Sequence, residues 1–91
     1  MLQPEHKYEI ELQKVIEHIK NSTTLADIRG NGVGQFIYAT NNHRAIEISQ
    51  SDDGIWVEFW ENDIEIPVKE ITAFNYEDAI IVSLNWLNSQ Q

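Results

Sequence analysis

The run Ala45-Ile46-Glu47-Ile48-Ser49-Gln50-Ser51-Asp52-Asp53-Gly54-Ile55-Trp56-Val57-Glu58-Phe59-Trp60 decides the fold. Apolar and polar residues alternate on both sides of Asp53-Gly54, the pattern of two half-buried strands joined by a tight turn. Paired residues of an antiparallel hairpin keep a constant index sum and share a face. An odd sum groups Ile46, Ile48, Ile55, Val57 and Phe59 on one side, and Glu47, Ser49, Trp56, Glu58 and Trp60 on the other. Two registers give an odd sum. A four-residue loop sets Glu47 directly against Glu58, whereas a two-residue Asp53-Gly54 loop does not. Like charges placed opposite one another cost from a few tenths to about 1 kcal/mol, so the two-residue loop is the expected one.

Working outward, Gln35 to Thr40 reads as a strand and Asn41-Asn42-His43-Arg44 as a turn. The same parity adds Ile37 and Ala39 to the aliphatic face, and Phe36 and Tyr38 to the other. Downstream, Glu61-Asn62-Asp63 turns the chain and Ile64-Glu65-Ile66 starts a fourth strand. Pro67 has no donor, which places that strand at an edge. A two-residue Asn62-Asp63 loop would bring Ile64, Ile66 and Val68 onto the aliphatic face, and a three-residue loop would reverse them.

The flanks are helical. Pro4 suits a first helical turn, and Tyr8, Leu12, Val15, Ile16 and Ile19 then form one apolar stripe, predicting a helix over 4–20. Glu5 and Glu9 near its start and Lys20 near its end suit the helix dipole. Residues 23–29 read as a short strand or an extended connection, and Gly30-Asn31-Gly32-Val33-Gly34 as a loop. Near the end, Asn75 is a good N-cap with Asp78 three residues on. Tyr76, Ala79, Ile80, Ser83, Leu84 and Leu87 share one face of the helix that follows. The expected fold is α+β over one domain, residues 1–91. A three- to four-stranded antiparallel meander, α-β-β-β-(β)-α, is flanked by an N-terminal and a C-terminal helix packed on its aliphatic face.

Two helices cover one face of such a sheet. The other carries Phe36, Tyr38, Glu47, Trp56, Glu58 and Trp60, and a one-sided sheet normally turns polar residues outward. Aromatics beside carboxylates make this the candidate binding surface, since Trp and Tyr are frequent interface anchors. Three coverings are open: a protein partner, a second copy of the chain, or residues 21–34 folded across it.

Charge narrows the partner. Fifteen acidic against six basic residues give a formal charge of −9, which works against nucleic acid and anionic membrane surfaces. A basic protein partner fits. Seven acids between Asp52 and Glu70 stand against Lys69 alone, a patch able to steer such a partner or simply a solvated edge. The absence of cysteine removes thiolate metal sites and cysteine nucleophiles. With no apolar signal region or membrane span, it points to the cytoplasm.

No constellation carries catalysis. His6, His18 and His43 lie in different elements with no ligand spacing. Gly30-x-Gly32-x-Gly34 lacks the spacing and the lysine of a phosphate loop and leads into a strand. Glu47 and Glu58 are a credible carboxylate pair, but a meander offers no deep cleft for glycoside chemistry. The serines lack a nucleophile-elbow context. The chain is therefore expected not to be an enzyme and to need no metal or cofactor.

The order helix–strand–strand–strand–helix resembles double-stranded RNA-binding domains in topology, but the basic residues those domains place on phosphates are missing. In size, acidity and the run Trp56-Val57-Glu58-Phe59-Trp60-Glu61, the chain resembles small bacterial immunity proteins that neutralise toxins, in type and not in motif. The resemblance implies a non-catalytic protein-binding module, an inhibitor or immunity-type protein for a basic partner. A homodimeric structural or regulatory domain is the alternative.

Overall fold

The computed structural model describes residues 4–61 and 66–88, with the side chains of residues 4–9 and 33 outside that description. Helix α1 (Pro4–Ile19) leads through a short 3-10 turn into strand β1 (Leu25–Arg29). Strands β2 (Phe36–Asn41), β3 (Arg44–Ser51), β4 (Gly54–Glu61) and β5 (Lys69–Ala73) follow, and helix α2 (Tyr76–Asn88) ends the described chain. The strands form one five-stranded antiparallel sheet in the order β1-β2-β3-β4-β5. The fold is thus α+β, as expected, with one strand more than the meander of three or four.

That strand is β1. Residues 25–29 pair with β2, Ala26 opposite Ala39 and Ile28 opposite Ile37, so the alternation in Leu-Ala-Asp-Ile-Arg is a sheet pattern. The loop that returns the chain needs glycine at its first position. Gly30 has φ +86°, and a Cβ there would meet the Gly34 carbonyl oxygen at 2.6 Å. Residues 25–29 thus extend the sheet sideways as its edge strand instead of folding across the outer face.

The β3–β4 register differs from the expected one. Ser51 pairs with Gly54 and Glu47 lies directly opposite Glu58, so the turn is made by Asp52 and Asp53. Ser51 holds it: its Oγ accepts from the Asp53 N–H at 3.3 Å and donates to the Gly54 carbonyl at 3.2 Å. Gly54 serves a different constraint. Its φ is +147°, and a Cβ there would meet the Ala73 carbonyl oxygen at 2.5 Å, so the close passage of β5 requires glycine. Packing against β5 outweighs the modest cost of two facing carboxylates.

The approach to β5 also departs from expectation. Ile64 and Glu65, the expected start of the strand, lie outside the described residues, and the strand itself begins at Lys69. Its register sets Ile71 opposite Val57 and Ala73 opposite Ile55. Those two residues take the aliphatic face in place of Ile66 and Val68, which are 70% and 46% exposed.

The core forms between this face and the helices. Leu12, Val15 and Ile19 of α1 and Ala79, Ser83 and Leu87 of α2 are buried, as are Ile37, Ala39, Ile46, Ile48, Ile55, Val57, Phe59 and Ala73. Helix α1 lies along β1 and β2, and α2 along β3 and β4. Asn75 caps α2, its Oδ1 accepting from the Asp78 N–H at 2.8 Å. The far end of α2 is tied to the sheet by side-chain donors. Asn41 Nδ2 reaches the Leu87 carbonyl at 2.9 Å and Arg44 Nη1 the Trp86 carbonyl at 3.2 Å. The guanidinium lies 4.1 Å from the Trp86 ring centre, and its Nη2 is 3.6 Å from Glu61. A cation at a helix C-terminus is favoured by the dipole as well. Among the described residues, no helix is long and apolar enough to cross a membrane.

Candidate functional site

With both helices on the aliphatic side, strand pairing alone arranges the opposite face. One row runs straight across the sheet: Asp27, Tyr38, Glu47, Glu58 and Glu70, one residue from each strand and each opposite the next. A parallel row sets Ser49 beside Trp56 and Trp56 beside Thr72. All six residues singled out from sequence, Phe36, Tyr38, Glu47, Trp56, Glu58 and Trp60, therefore lie on one face.

They are not equivalent. Trp56 is 38% exposed, so its ring presents a broad surface to solvent. Trp60 is only half-buried as a residue, yet its Nε1 is shut off from solvent and finds no acceptor among the described residues. Its carbonyl accepts from Trp86 Nε1 at 3.2 Å, linking β4 to the end of α2. Trp60 is thus tied into the molecule more than its position on the outer face suggested.

Charges along the first row are unevenly matched. At the β1 end, Arg29 Nε donates to Asp27 Oδ1 at 3.1 Å, and the guanidinium stacks 4.0 Å from the Tyr38 ring centre. Its charge also reaches Glu47. Burial raises the Glu47 pKa above the ordinary 4.5, and Arg29 partly opposes the rise. Glu58 has no such help. Its pKa is raised by burial first, then by the Glu47 and Glu70 carboxylates, and by a hydrogen bond with Glu70.

Along this row the surface dips into a hollow of about 310 Å³, lined by Phe36 and Trp56 together with Glu47, Ser49, Glu58 and Gly34 among others. A second depression of about 600 Å³ lies on the helical side between α1 and α2, lined by Val15, His18, Tyr76 and Ile80 among others. Among the described residues, no group of three or more His, Asp or Glu side chains is placed to hold a metal ion.

Sequence reasoning missed Asp27, Arg29, Glu70 and Thr72 on the outer face. The signal was present: Ala26 and Ile28 alternate with Asp27 and Arg29, and Ile71 and Ala73 with Glu70 and Thr72. No family model, curated protein or solved structure matches this chain.

Proposed function

We propose that the chain is a small, acidic, non-catalytic binding module that docks a basic protein partner on its outer sheet face, in the manner of an inhibitor or immunity-type protein. The observation that carries this reading is the Glu47–Glu58–Glu70 row. Three carboxylates stand in direct cross-strand register beside exposed Trp56, on a face neither helix covers. Like charges held together in a partly desolvated setting are unfavourable in the isolated chain, and a cationic surface relieves them on contact. The aromatic rings supply the apolar area that such contacts need at their centre. A cysteine-free chain suits a cytoplasmic setting, which forms part of the same reading.

A homodimer through this face would bring two such rows together, each on a chain of charge −9. Light scattering combined with amide chemical-shift mapping separates the two. The expected result is a mass near 10.6 kDa in isolation, with a cationic peptide shifting the amides of Tyr38, Glu47, Trp56 and Glu58. A doubled mass that Trp56→Ala halves would overturn the proposal in favour of self-association.

A further inference from the structure

We infer that the hollow beside Trp56 seats an arginine side chain of the partner, its guanidinium laid on an aromatic wall and forked toward Glu47 and Glu58. This rests on the reading of the outer face as the docking surface and names the group that face recognises.

The chain treats its own arginines in the same way. Arg29 lies 4.0 Å from the Tyr38 ring centre with the Asp27 carboxylate 3.1 Å from its Nε. Arg44 lies 4.1 Å from the Trp86 ring centre with Glu61 3.6 Å from its Nη2. Both seats consist of an aromatic face and a carboxylate, matching the flat, weakly hydrated and forked guanidinium. The hollow repeats that composition with Phe36, Trp56, Glu47 and Glu58. At about 310 Å³ it stands at the lower end of small-ligand sites, room for one long side chain and little more.

Among the described residues the chain brings no cation of its own to Glu58, and Arg29 reaches Glu47 only from the β1 side. Arg29 is engaged with Asp27 at the far edge, and Arg44 and Lys69 stack on Trp86 and Phe59 of the aliphatic side. Lys14 and Lys20 sit on or just after α1, and the charges that act on Glu58 are those of Glu47 and Glu70. A cation seated between Glu47 and Glu58 turns their mutual repulsion into two attractions. Free arginine fits less well, because its own carboxylate would face the acidic row. An arginine within a peptide carries no such charge.

The test uses the intact chain and a blocked Gly-Arg-Gly-Arg-Gly peptide, with the lysine and citrulline counterparts as comparisons, followed by amide and indole chemical shifts. The arginine peptide should shift the Phe36, Glu47 and Glu58 amides and the Trp56 indole N–H, and bind at least about tenfold more tightly than either counterpart. Trp56→Ala and Glu58→Gln should each weaken it about tenfold or more, with a dispersed spectrum retained. Glu77→Gln on α2 should leave it unchanged. Glu58→Gln removes one charge without opening a cavity, so it stands as the test even if Trp56→Ala impairs folding. Equal binding of the arginine and lysine peptides at this face overturns the arginine seat and leaves the docking surface standing. Shifts confined to the α1–α2 side, or no binding by either peptide, overturn both.

Discussion

Glu58 has Glu47 across one strand boundary and Glu70 across the other, and neither neighbour brings a compensating cation to it. A carboxyl group whose pKa is higher in the folded state than in the unfolded chain binds its proton more tightly when folded. Its contribution to stability is therefore complete below the ordinary value of 4.5 and is lost as pH rises through the raised folded value. Wild type should accordingly unfold at a lower denaturant midpoint at about pH 8 than at about pH 5, and Glu58→Gln should narrow that difference. At pH 7 the substitution should stabilise by about 0.2–1 kcal/mol, the range for like charges across a strand pair. A loss of stability instead would mean that Glu58 has a cationic partner in solution. Gly54 offers the opposite case. Its φ of +147° and the Ala73 carbonyl oxygen 2.5 Å from a built Cβ predict that Gly54→Ala costs about 1–3 kcal/mol, read from the same midpoints. The dipeptide Asp53-Gly54 signalled a hairpin, and a hairpin is there. Which residues form its turn was not legible, because Gly54 answers to a strand fifteen or more residues away in the chain.

At the scale of elements, period-two alternation was enough to sort faces. Ile48 and Ser49 are adjacent on β3 and point to opposite sides, Ile48 with 0% exposure among core residues. Ile48→Ala should destabilise by about 2–5 kcal/mol, since it empties part of a packed core. Ser49→Ala should stay within about 0.5 kcal/mol of wild type. Equal denaturant midpoints for the two would overturn the face assignment. The central strands were legible because each alternates over at least five residues. Strands β1 and β5 were harder, being edge strands of five residues each, where the inward residues Ala26, Ile28 and Ile71 are only partly buried. Reading β5 as starting at Ile64 followed the apolar residues Ile64, Ile66 and Val68. The exposure of Ile66 and Val68 shows that an apolar residue beside a proline is no guide to register. Missing Glu70 on the outer face follows from that one error, and so does missing the full length of the acidic row.

For the whole molecule, the asymmetry between two sheet faces meets a net charge of −9. The hydrophobic core, the α1 and α2 stripes and the Arg44 tie all lie on the aliphatic side. The outer side carries self-repulsion that the core must outweigh. Salt therefore acts on the two in opposite senses. Raising ionic strength from about 0.05 to about 0.5 M shortens the screening length severalfold. That should ease repulsion within the folded chain and raise its thermal midpoint. The same screening removes the attraction that draws a cationic peptide to the Glu47–Glu58–Glu70 row, so its affinity should fall over the same range. A self-associating chain behaves differently, because screening lessens repulsion between copies, and its dissociation constant should tighten as salt rises. Thermal melts and peptide titrations on one sample series separate these cases. A higher midpoint with weaker peptide binding and unchanged mass supports a docking face for a basic partner. A mass that grows with salt would instead assign the face to a second copy.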